Sequence, residues 1–172
     1  MDSHTQRFGS YESIRAYVAA WAPSVLLGLA GAFFTITRND YSFMDAIDLV
    51  IHEAGHIFFA FFGEFIRMAG GTLMQIILPA GLAAYFYANN YRLGHQIMLF
   101  WLGQSLLNVS VYAADASARS LPLLGGSQVT HDWHYMLQKT GMLEYDYLIA
   151  DVFVVLAVSV FVLMVLTPKH MM

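Results

Sequence analysis

Residues 45–65 read DAIDLVIHEAGHIFFAFFGEF, and His52, Glu53 and His56 within them form the pattern H-E-x-x-H. On a helix, residues four apart share one face, so His52 and His56 can offer two imidazoles to one metal ion. Helical geometry sets Glu53 about 100° round from His52 and about 60° from His56. Zinc hydrolases use this arrangement, two His ligands with a Glu acting as base on a water. A zinc ion so held lowers the pKa of its water to about 7. The surroundings are unusual for such a motif, because the flanking residues are those of a lipid-facing helix.

The rest of the chain agrees with that setting. Of 172 residues, 58% are hydrophobic, 15% aromatic and 12% charged, with a mean hydropathy of +0.56. Soluble domains carry about 25% charged residues, so this chain has too little polar surface to cover a water-soluble globule. The composition predicts an all-α integral membrane protein. A net charge of −4 with eight scattered Lys/Arg excludes nucleic acid as a partner class. There is no cysteine, which removes disulfides, thiolate ligands and Cys nucleophiles together. The first apolar stretch lacks a clear A-x-A-like cleavage site and reads as a retained span.

A membrane-crossing helix needs about 20 mostly apolar residues. Five segments qualify, at roughly 16–37, 43–68, 72–87, 93–114 and 147–167, in one domain covering residues 1–172. The Gly70-Gly71 pair reads as the break between the second and third. If all five cross, Arg7, Arg15, Arg67, Arg119 and Lys139 share one side against Arg38, Arg92 and Lys169. That excess favours a cytoplasmic N-terminus.

An ionisable residue at the bilayer centre costs roughly 2.5–3.5 kcal/mol on insertion scales. Two His and a Glu within five residues, with Asp48 one turn earlier, therefore point to a metal site. Catalytic zinc usually takes three protein ligands and leaves a position open. In GQSLLNVSVYAAD, residues 103–115, Gln104, Asn108 and Asp115 fall within about 40° on a helical wheel. Asp115 is the expected third ligand, with Asn108 and Gln104 facing the substrate. Asn and Gln also serve as glue between membrane helices. Asp48 has the direction to accept the second N–H of His52, while Asp45 and Asp48 also suit a helix N-terminus. Gln75 and Pro79 are read as exposing a backbone edge to a substrate strand.

A second cluster lies in the long connection, where HDWH supplies His131, Asp132 and His134. Thr130 suits an N-cap and Gly141 a helix stop. Trp133, Met136 and Leu137 would then rest an amphipathic helix on the membrane interface. The sharper alternative is that one of His131, Asp132 and His134 completes or gates the zinc site. His4, His95 and His170 read as incidental.

The HEAGH span, with an Asn and then an Asp at the end of a span two segments later, resembles the site-2 protease family. Members are intramembrane zinc metalloproteases with a three-helix core, H-E-x-x-H on its first helix and N-x-x-P…L-D-G on its third. Residues 43–115 would form that core. The resemblance implies His52, His56 and Asp115 as zinc ligands, Glu53 as general base and Asn108 as the substrate-orienting residue. In this chain Asn108 and Asp115 are seven apart where the family usually has eight, and ADA stands in place of L-D-G. The expected function is hydrolysis of a peptide bond in a membrane protein or peptide, within or beside the bilayer. The alternatives are a zinc-dependent membrane amidase or lipid hydrolase, and a non-enzymatic metal-binding membrane protein. A retained Glu53 favours the enzymes, since binding alone needs no base.

Overall fold

The computed structural model describes residues 3–122, 124 and 130–167, and the side chains of residues 3–14 and 16 lie outside that description. The expectations for His4 and His170 fall outside it too. All regular structure among the described residues is helical. The elements are α1 (Ser3–Ile36), α2 (Phe43–Phe58), α3 (Glu64–Ala88), α4 (Arg92–Ala114), α5 (Asp132–Thr140) and α6 (Asp146–Leu166).

Four helical segments are long and apolar enough to cross a membrane, consistent with a multi-pass membrane protein: Tyr17–Ile36, Glu64–Ala88, Arg92–Ala114 and Leu143–Leu166. The helix carrying HEAGH is not among them. With 16 residues, α2 is about 24 Å long, short of the roughly 30 Å hydrocarbon core. The expected second and third spans are instead divided earlier. A 3-10 turn, Ala60–Phe62, is followed by Gly63 at φ +90°, a conformation open to glycine, and α3 starts at once. If the four segments alone cross, Arg7, Arg15, Arg92 and Lys169 oppose Arg38, Arg67, Arg119 and Lys139. The even split no longer favours either orientation.

Gly70-Gly71, expected to break the chain, lies inside α3 and serves packing. A Cβ on Gly55 of α2 would stand 2.2 Å from the Gly70 carbonyl oxygen, and one on Gly71 would stand 2.4 Å from the His52 ring. The α2–α3 hairpin therefore closes at backbone distance, and the imidazole of His52 fills the notch above Gly71. Gly71→Ala is expected to push His52 aside and weaken metal binding. Gly81→Ala, whose Cβ meets nothing within 4 Å, is the matched control for the same zinc-binding measurement. Equal zinc affinity in the two variants would contradict this packing role.

Helix α4 lies at the centre, between α3 and α6, and α1 packs against α4 and α6. One buried cluster joins Leu106 and Leu107 of α4 to Ala157, Phe161 and Met164 of α6. A second gathers Met68, Val109, Ala113 and Ala150 around Trp133, Met136 and Leu137 of α5. These three side chains were expected on the membrane interface. They are buried instead, with Trp133 edge-on to Phe153 at 5.5 Å. His131, not Thr130, is the N-cap of α5, its Nδ1 accepting the His134 N–H at 3.2 Å. Gly141 ends the helix at φ +68°, as its sequence position suggested. The apolar face of α5 thus docks the HDWH segment into the bundle.

Candidate metal centre

Ser42 and Asp45 begin α2 with a capping box. The Asp45 Oδ2 accepts the Ser42 N–H at 2.6 Å, while Ser42 Oγ accepts the Asp45 N–H at 3.4 Å. Two turns on, the buried face of the helix carries Asp48, His52 and Gly55. Its opposite face is apolar and open, with Val50 and Ile57 exposed, and Phe61 of the following turn is 92% exposed. The helix is therefore amphipathic, with its polar face turned inward and its apolar face exposed. This resolves the setting of HEAGH: the ionisable groups face the protein.

His52, His56 and Asp132 each bring one ligand atom to a common point, all within 4.8 Å of one another. Asp132 Oδ2 lies 2.8 Å from His52 Nε2 and 3.2 Å from His56 Nε2. Ligand atoms on a tetrahedral zinc with bonds of 2.0–2.1 Å stand about 3.3 Å apart, so the spacing suits such an ion after small movements. The far ring nitrogens are already engaged. His52 Nδ1 lies 2.8 Å from Gln75 Oε1, and His56 Nδ1 lies 2.8 Å from the Arg67 carbonyl oxygen. An oxygen acceptor at Nδ1 requires N–H there, so Nε2 is the ring atom open to a metal, which would displace the proton each ring shares with Asp132. Burial works against charge on Asp132, but hydrogen bonds from His52 and His56 outweigh it and hold its carboxyl below the usual carboxylate range.

Asp115, the expected third ligand, stands apart from this group. It follows α4, where its Oδ1 accepts from Ser120 N–H and Oγ at 2.9 and 2.6 Å and its Oδ2 from Leu121 N–H at 3.0 Å. Burial opposes its charge, yet these donors outweigh that penalty and keep its pKa low. Its Oδ2 is also 3.3 Å from His131 Nε2, at an angle outside hydrogen bonding. Burial pushes the His131 imidazole below its ordinary pKa in spite of Asp115. The neutral ring can then accept at Nδ1 as a cap. Asp115 and His131 thus hold the segment that delivers Asp132. His134 turns away, with Nδ1 2.8 Å from the Ala116 carbonyl oxygen.

The other expected residues also find partners. Asp48 is fully buried, its Oδ1 accepting from Trp101 Nε1 at 3.0 Å and Ser105 Oγ at 2.9 Å, and Gln75 takes the place beside His52 given to Asp48 by spacing. Gln104 and Asn108 both donate to Asp45 Oδ1 at 2.9 Å. Gln75 is buried and hydrogen-bonded through its side chain, and Pro79 is buried inside α3.

Tyr112 had no place in the sequence reading. Its hydroxyl accepts the Asp132 N–H at 3.2 Å and lies 3.4 Å from Asp132 Oδ2, and its ring stacks on His131 at 4.3 Å. The signal was available, since Gln104, Asn108 and Tyr112 follow one another at intervals of four along α4.

A cavity of about 570 Å³ opens on the group. Glu53, His52, His56 and Asp132 line it with Asn108, Tyr112, Arg67 and the α1–α2 turn. The ion pairs among the described residues all join a histidine to Asp132 or Asp115, so none occupies Glu53. The arrangement can hold a divalent cation beside an available carboxylate in a partly enclosed space. Comparison with protein-family models, curated proteins and solved structures finds no match for this chain.

Proposed function

We propose that this chain is an intramembrane zinc metalloprotease of the site-2 protease kind, hydrolysing a peptide bond within or beside the bilayer. One observation carries the reading: His52, His56 and Asp132 converge, with both Nδ1 atoms engaged, in the cavity that Glu53 lines with no ion-pair partner among the described residues. Two imidazoles and one carboxylate are a donor set of catalytic zinc. When bound, zinc supplies a water reactive near neutral pH and a Lewis acid for a carbonyl.

The remaining work falls to the chain's own groups. Glu53 accepts the proton of the attacking water and returns it to the departing amine nitrogen, so one C–N bond breaks as one C–O bond forms. Tyr112 steadies Asp132. The cavity walls admit water to a depth where lipid would exclude it, since Gln75 lies about 16 Å along α3 from its first residue. A helical substrate must unwind locally, because its peptide groups are otherwise engaged in their own hydrogen bonds. The peptide bond is preferred over a lipid ester or amide on the H-E-x-x-H resemblance.

The test compares membranes from cells producing the wild-type chain or the Glu53→Gln variant. New protein N-termini in or near membrane segments, formed only with the wild type, are the expected result. Products of lipid hydrolysis in their place would make the chain a lipid hydrolase. Equal peptide and lipid profiles, with about one zinc in the purified protein, would leave a metal-binding protein and end the enzymatic reading.

A further inference from the structure

The polar side chains behind His52 form a chain with a fixed direction. Asp45 is a terminal acceptor: its Oδ2 receives Ser42 N–H at 2.6 Å and Ser42 Oγ–H at 2.5 Å, and its Oδ1 receives Gln104 and Asn108 at 2.9 Å. A carboxylate can only accept. Asn108 must therefore turn its NH₂ to Asp45, which leaves its carbonyl for Gln75. The Gln75 Nε2 donates to that oxygen at 2.9 Å, and its own Oε1 then faces His52 Nδ1 at 2.8 Å. An amide oxygen accepts, so His52 carries a proton on Nδ1, and its Nε2, 2.8 Å from Asp132 Oδ2, is the ring atom at which a bound metal would take the place of a proton. Each amide carries its donor and acceptor at opposite corners and passes the polarity on.

We infer that Asp45, acting through Asn108 and Gln75, sets the tautomer of His52 and so aims its Nε2 lone pair at the metal group. Asp45 is a positioning residue, and Asn108 is a link in this relay. The inference rests on the metal reading given above. It goes beyond that reading by assigning the relay's direction to a side chain seven residues from His52.

Asp45→Asn removes the obligatory acceptor, so the two amides can reverse and His52 can carry its proton on Nε2. Zinc affinity, measured by competition with a chromophoric chelator, is expected to fall roughly 10- to 100-fold, the range for loss of an outer partner of a metal-bound His. The double variant Asp45→Asn/Asn108→Asp moves the carboxylate one link nearer and restores the direction. Its affinity should return close to that of the wild type. Ring ¹⁵N shifts of His52 should follow the same order, reporting Nδ1–H in the wild type and double variant and a mixture in Asp45→Asn. Ser42→Ala weakens the cap while keeping the relay, and should bind zinc as the wild type does.

Undiminished zinc binding by Asp45→Asn would overturn the inference, as would a double variant no better than the single one. Ser42→Ala matching Asp45→Asn would reduce Asp45 to a helix cap. A wild-type chain that binds no zinc, or binds it equally after His52→Ala, would instead remove the metal reading itself.

Discussion

Asp132→Ala is expected to lose zinc, while Asp115→Asn keeps most of its affinity. Asp132 supplies the only carboxylate of the convergent group, 2.8 and 3.2 Å from the two Nε2 atoms. Without it two imidazoles remain, one ligand fewer than catalytic zinc usually takes. The loss should exceed the roughly 10- to 100-fold drop typical of a missing outer partner. Asp115 acts further out, on Ser120, Leu121 and His131. Asparagine retains an acceptor oxygen there, so its effect belongs in the smaller range. Equilibrium dialysis against zinc, read by elemental analysis, separates the two. Retention by Asp132→Ala together with loss by Asp115→Asn would return the ligand role to Asp115 and place α5 outside the site.

The two aspartates show what local pattern can and cannot reveal. The apolar segments, the HEAGH face and the α5 stop at Gly141 were legible because each depends on neighbours within a few turns. The choice of Asp132 over Asp115 for the third place in the group was not, although the HDWH segment stood as the alternative, because Asp132 lies 80 residues from His52. Its approach requires Trp133, Met136 and Leu137 to bury against α3, α4 and α6, which an amphipathic sequence does not distinguish from resting on lipid headgroups. Asp115 had the better helical-wheel position, but nearby backbone N–H groups claimed its oxygens. Such capture by local donors is common for Asp beyond a helix end.

Gly70-Gly71 posed a different ambiguity. Glycine pairs break helices in water through backbone entropy, yet between membrane helices small residues permit close approach. The distances at Gly55 and Gly71 show that packing decides here. The second reading moves the reversal to Gly63 and makes α2 too short to cross the bilayer core. Asn108 and Gln104 were read as facing substrate or as glue between helices, and the direction of their hydrogen bonding depends on Asp45, a residue on another helix.

Glu53→Gln is expected to retain zinc and lose turnover by roughly 10²- to 10⁴-fold, the usual contribution of a positioned general acid or base. Glutamine keeps the size of glutamate and removes its proton affinity. Because no ion pair among the described residues holds Glu53, the change breaks no such contact, and the protein's melting temperature should stay near the wild-type value. The zinc content isolates the cause. Retained metal with lost turnover assigns proton transfer to Glu53, whereas loss of both would make Glu53 part of the metal site. Undiminished turnover would require another base, and Asp132, held by both imidazoles, is poorly placed to act as one. That constraint sets the two acids of this cavity apart: Asp132 is held between two imidazoles, and Glu53, which no ion pair among the described residues holds, is the one able to take up a proton.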